Sequence, residues 1–151
     1  MRWHPVILPE SLVGRALVDL GSVGGLSENE AANSELVRQF IDAWERRDTD
    51  RILDCFADDV VYHAIPLAPI EGKAAVAAWV RGFSDVPPGR LEVRHQLASG
   101  DVVMNERTDF ITLNGRPVTL PICATFTVRE GRITAWREYF DLAPARAAYA
   151  S

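Results

Sequence analysis

Two stretches of the chain put ionisable side chains at the alternate positions that share one face of a strand. In "NERTDFITL" a period of two sets Arg107, Asp109, Ile111 and Leu113 on one side, with Glu106, Thr108, Phe110 and Thr112 on the other. In "ITAWREYFD" it groups Trp136, Glu138 and Phe140 against Arg137, Tyr139 and Asp141. Between them, Val118, Leu120, Ile122, Ala124, Phe126 and Val128 form an apolar face that marks the inner side of a sheet. In that register one cation and two carboxylates share an apolar cavity. Burying each costs several kcal/mol unless they pair, and the planar fork of Arg107 can hold both acids at once. Two acids coupled through one cation can share a proton, so that one donates while the other accepts at the same pH.

A third stretch, "VYHAIPLAP", begins as a half-buried strand and ends in prolines. Tyr62 and Ala64 face one way and His63 the other. Read from the residues alone, the Asp-Arg-Glu group serves equally as a structural ion network or as acid-base machinery, since both perturb pKa values. A position facing the mouth of a cavity favours the machinery.

The elements that must position these groups are legible in turn. Ser27 followed by Glu30 is a capping box, and Leu36, Val37, Phe40, Ile41 and Trp44 then recur at helical spacing. Asp48 can cap a short second helix carrying Ile52, Leu53 and Phe56. From Gly72, "GKAAVAAWVRGF" sets Val76, Trp79, Val80 and Phe83 on one helical face, and Pro87 and Pro88 end it. Strands follow over 91–99, 101–113, 117–129 and 132–142, separated by "SGD", "NGR" and "EGR" turns. Three helices and then a run of antiparallel strands give an α+β domain, a curved sheet wrapped over helices around an open pocket. Residues 1–26 read as an extension with at most one helical turn near "SLVGRALVDL", 27–145 as the domain and 146–151 as a tail.

At 151 residues the chain is one domain's worth, and its 48% hydrophobic and 25% charged content is that of a globular protein. The net charge is -5, with Lys and Arg scattered, so nothing suits a phosphate backbone or an anionic membrane. The opening "MRWHPVILPESLVG" is too short and too broken for a signal peptide or membrane span, which points to the cytoplasm. Cys55 and Cys123 read as small core residues, and His4, His63 and His95 lack ligand spacing, so no metal site is expected.

At "VYHAIPLAP", "NERTDF" and "AWREYFDL" the chain resembles the limonene-1,2-epoxide hydrolase family, a branch of the NTF2-like or SnoaL-like α+β cone fold, over residues 28–142. The resemblance implies three N-terminal helices on a strongly curved, mostly antiparallel sheet. It implies cofactor-independent hydrolysis of an epoxide to a vicinal diol. Asp109 would be the acid that protonates the epoxide oxygen, Arg107 the bridge, and Glu138 the base, where the family has an aspartate. Tyr62 would help to hold the attacking water, and Ala64 falls where the family has an asparagine doing the same. Trp136 would line the site. With Leu120, Ile122, Phe126 and Phe140 beside it, the lining suits a small apolar, terpene-like or cyclic epoxide. The resemblance also implies a homodimer built on the outer sheet face around Phe110 and Tyr139.

Two rivals remain at this point. One is another acid-base reaction of the same fold, a ketosteroid isomerase-like or polyketide cyclase-like reaction, the latter including epoxide-opening cyclisation. The other is a non-catalytic small-molecule-binding protein.

Overall fold

The structure, a computed structural model, describes residues 25–150; the helical turn expected near "SLVGRALVDL" lies outside the described residues. The chain runs through α1 (Glu28–Arg46), α2 (Thr49–Asp54), β1 (Phe56–Ile65), β2 (Ile70–Glu71) and α3 (Lys73–Arg81). It continues through β3 (Arg90–Ser99), β4 (Val102–Leu113), β5 (Arg116–Arg129), β6 (Arg132–Phe140) and α4 (Leu142–Tyr149). The capping box forms as its sequence requires: the Ser27 hydroxyl accepts from the Glu30 amide, and Glu30 accepts in return from the Ser27 amide. Asp48 caps α2 by accepting from the Arg51 amide at 3.0 Å.

The six strands form one sheet in the order β2-β1-β6-β5-β4-β3. All neighbours are antiparallel except β1 and β6, which run parallel. Tight turns join β4 to β5 and β5 to β6. Asn114 and Gly115, then Glu130 and Gly131, all take positive φ, the geometry that matches the strands' own twist. The helices fill the concave side of the sheet. Phe40 of α1 is fully buried and meets Phe56, Phe126 and Trp136 edge to face at 5.4, 5.7 and 5.0 Å between ring centroids.

The α+β architecture and its curved, mostly antiparallel sheet agree with the sequence reading, with differences at the edges. Strand β6 stops at Phe140 because Asp141 turns to cap α4, accepting from the Ala143 amide at 2.9 Å. This fourth helix crosses the expected domain end at 145 and has no counterpart in the sequence reading. Cys55 is buried but Cys123 is exposed, a correction with a simple cause. Cys123 alternates with buried Ile122 and Ala124 along β5, so it belongs to the outer face. Among the described residues, no helix is long and apolar enough to cross a membrane.

Candidate active site

Strand alternation on β4 turns Asn105, Arg107 and Asp109 inward and leaves Glu106 and Thr108 outside. Two strands away, β6 turns Trp136 and Glu138 inward. On β1, paired in parallel with β6, Tyr62 stands opposite Trp136 and Ala64 opposite Glu138. All these side chains converge under the helices.

Arg107 is the hub. Its Nε donates to Asp109 Oδ1 at 2.9 Å and its Nη2 reaches Asp109 Oδ2 at 3.4 Å. The same Nη2 donates to Glu138 Oε1, and Nη1 donates to Asn105 Oδ1 at 3.2 Å. The Tyr62 hydroxyl donates to the second Glu138 oxygen, Oε2, at 3.1 Å. Arg107, Asp109 and Glu138 are only 3%, 7% and 5% exposed, so the pairing is what makes their burial tolerable.

The surroundings split the groups by protonation. Burial pushes the Asp109 carboxyl up to about 6, with the Glu138 charge adding to the rise and the Arg107 cation opposing it. Burial by itself would lower the Arg107 pKa, but Glu138 and Asp109 outweigh it, so the guanidinium stays charged. Burial first and Glu138 second hold the Tyr62 phenol well above its usual range, so it remains a donor.

These groups form part of the wall of a cavity of about 320 Å³. The lining includes Tyr62, Ala64, Arg107, Asp109, Leu120, Ile122, Trp136, Glu138 and Phe140, nine of the ten residues singled out from the sequence. Phe126 is the exception. It is fully buried and stacks at 6.3 Å on the far side of Trp136, in the core and not in the lining. Alternation says which face a residue takes but not how deep in the cone it sits.

Other contributors, Asn105, Arg47, Leu142 and Tyr149 among them, were not singled out from the sequence. Asn105 fastens Arg107, and the same period of two that found Arg107 and Asp109 reaches it. Arg47, at the end of α1, lines the cavity, as do Leu142 and Tyr149 of α4. Among the described residues, no group of three His, Cys, Asp or Glu side chains is placed to hold a metal ion. What the arrangement can do is deliver a proton from one carboxyl while the other takes one up, inside an apolar enclosure.

Known proteins share this fold and much of this sequence. Residues 37–136 match the family model of the SnoaL-like domain. Over 106 residues, 70% of this chain and 71% of the relative, the sequence is 31% identical to epoxide hydrolase EphG of Mycobacterium tuberculosis. The solved structure of an M. tuberculosis LEH-like epoxide hydrolase superposes with a TM-score of 0.71 at 28% identity, covering 79% of this chain and 90% of that one. A SnoaL-like polyketide cyclase from Jannaschia sp. shares the fold, with a TM-score of 0.74 at 20% identity, over 83% of this chain and 96% of that one.

Proposed function

The chain belongs to the SnoaL-like family, and from that premise we propose that it hydrolyses a small apolar epoxide, terpene-like or cyclic, to a vicinal diol without a cofactor. The observation that carries this reading is Arg107 gripping Asp109 and Glu138 together in the wall of an apolar cavity. Similarity to an epoxide hydrolase supports the reaction class.

In the proposed reaction Asp109 donates its proton to the epoxide oxygen as the C–O bond breaks. Its Oδ2, on the longer 3.4 Å contact, is the oxygen less committed to Arg107 and the better proton carrier. Water attacks the ring carbon and loses a proton to Glu138. Proton return from Glu138 to Asp109 then resets the pair, and Arg107 remains charged throughout. Positioned acid and base each contribute about 10²–10⁴-fold.

Glu138 and Ala64 set the water site. In register opposite Glu138, Ala64 presents only a methyl group, so the water lacks the amide partner that the family resemblance implies at that position. One lost orienting hydrogen bond costs about 1–3 kcal/mol, roughly ten- to a hundredfold in rate. Ala64 also favours a second reading, epoxide opening by a hydroxyl of the substrate itself. The outer sheet face, where Leu97, Met104 and Tyr139 are exposed, is the surface for a homodimer, which light scattering on the purified protein would test.

Turnover of an epoxide panel that includes limonene oxide, in ¹⁸O-water, tests the reaction. Labelled diol supports hydrolysis, and unlabelled cyclic ether supports intramolecular opening. No reaction of any epoxide would sink both in favour of a binding protein.

A further inference from the structure

Arg47 is a cation that the epoxide chemistry does not use. It follows the last turn of α1 in a left-handed conformation, φ 57°, its own amide closing onto the Ala43 and Trp44 carbonyls. Its side chain packs over the Trp44 ring at 5.7 Å, and Nε and Nη2 donate weakly to one backbone oxygen, that of Pro87, at 3.4 and 3.3 Å. No carboxylate forms an ion pair with it among the described residues. The neighbouring acid on its own helix, Glu45, is engaged with the Leu91 amide at 2.6 Å. Arg47 is nonetheless half-buried and lines the same cavity as Asp109.

The charges of the lining make this informative. The ionisable groups around the cavity are Arg47, Arg107, Asp109 and Glu138, with the phenols Tyr62 and Tyr149. In the state that can open an epoxide, Asp109 is neutral, and Arg107 and Glu138 cancel. Arg47 is then left as a net positive charge in an enclosure that is otherwise apolar. A half-buried guanidinium whose hydrogen bonds are two long contacts to one carbonyl is a strong attractor for a carboxylate, which it can hold by two shorter ones.

We propose that Arg47 is an anion-recognition point of this cavity, and that the ligand it favours is amphiphilic: an apolar body that carries a carboxylate as well as the reacting group. This rests on the epoxide reading for the reacting group, but not for the anion. The anion would also cancel the field by which Arg47 opposes the protonated form of Asp109, so binding and proton retention would favour one another.

The test uses unreactive probes, 3-cyclohexylpropionic acid and its methyl ester, so its outcome does not depend on any turnover. Binding is read at pH 5.5, where Asp109 with its midpoint near 6 is mostly neutral and the acid probe is mostly ionised, from the fluorescence of the cavity tryptophans Trp44, Trp79 and Trp136. The expected result is acid bound at least about tenfold tighter than ester by the wild type, a charge-assisted contact of ordinary strength. Arg47→Gln should bring that ratio close to one. Arg47→Lys, which carries the same backbone requirement and keeps the charge, should retain most of it, and circular dichroism would check that both variants fold. Equal binding of acid and ester by the wild type, or a preference that survives in Arg47→Gln, would overturn the proposal and reduce Arg47 to a clamp between α1 and the Pro87 segment. Acid preference without turnover of any epoxide would leave the Arg47 inference standing while the hydrolase reading fell.

Discussion

Glu106 and Arg107 are neighbours on β4, and each makes an ion pair, yet they live in different solvents. Glu106 meets Arg94 at 3.4 Å on the outer face, with side chains 52% and 69% exposed. Arg107 meets Asp109 at 2.9 Å on the inner face, with side chains 2% and 11% exposed. In water the attraction is screened and the two long side chains give up rotamer freedom, so such a pair contributes about 0–1 kcal/mol. In the cavity the same attraction is needed to offset desolvation, and removing one member strands the others. Adjacent residues thus teach that the pairing itself carries little information. What matters is whether the fold has taken water away from it.

The largest expected effect follows directly. Arg107→Met would leave the buried Glu138 carboxylate without its cation, at a cost of about 3–5 kcal/mol in urea unfolding at neutral pH. Loss of less than about 1 kcal/mol would mean that the inner cluster behaves like the outer pair. Next comes Asp109→Asn, which should lower epoxide turnover by about 10²–10⁴-fold.

The same variant gives a stability readout of opposite sign. Asp109 has a raised carboxyl pKa, so its contribution to folding is fully present below the ordinary value near 3.8 and is lost as pH rises through about 6. Asparagine imitates the neutral acid at every pH. Relative to wild type, Asp109→Asn should therefore gain about 1–3 kcal/mol between pH 4 and pH 7, a trend that thermal unfolding at several pH values would reveal or refute. For the reaction, the ionised acid cannot donate, so wild-type turnover should fall as pH rises through about 6.

A smaller effect is expected from Ala64→Asn. An amide beside Glu138 should raise diol formation by roughly tenfold or more if water orientation limits the rate; an unchanged or slower rate would show that Glu138 already holds the water without help. The least response belongs to the outer face, where Arg94→Ala should shift unfolding by no more than about 1 kcal/mol. A larger shift would erase the contrast from the other side.

The inner cluster was legible because β4, β5 and the Trp136–Phe140 end of β6 alternate with a period of two. That rule puts Arg107, Asp109 and Glu138 on one face from the sequence alone. The same rule reaches Asn105, two residues before Arg107, but a neutral amide carries no charge whose burial would demand a partner. The rule has no access to depth, which is why Phe126 went to the core behind Trp136. Helix α4 escaped because "LAPARAAY" is mostly small side chains with a proline in its first turn. Its start signal is Asp141, which the alternation of β6 had already claimed for a strand. Arg47 escaped because its role depends on where α1 ends against the Pro87 segment, a tertiary fact.

The most direct measurement is a titration of the Asp109 carboxyl itself, by carbon NMR with labelled aspartate assigned through Asp109→Asn. A midpoint near 6, moving downward in Glu138→Gln as the neighbouring negative charge is removed, is the expected result. A midpoint at the ordinary aspartate value near 3.8, indifferent to Glu138, would contradict the proton-sharing pair and leave the cluster as an ion network that happens to line a cavity.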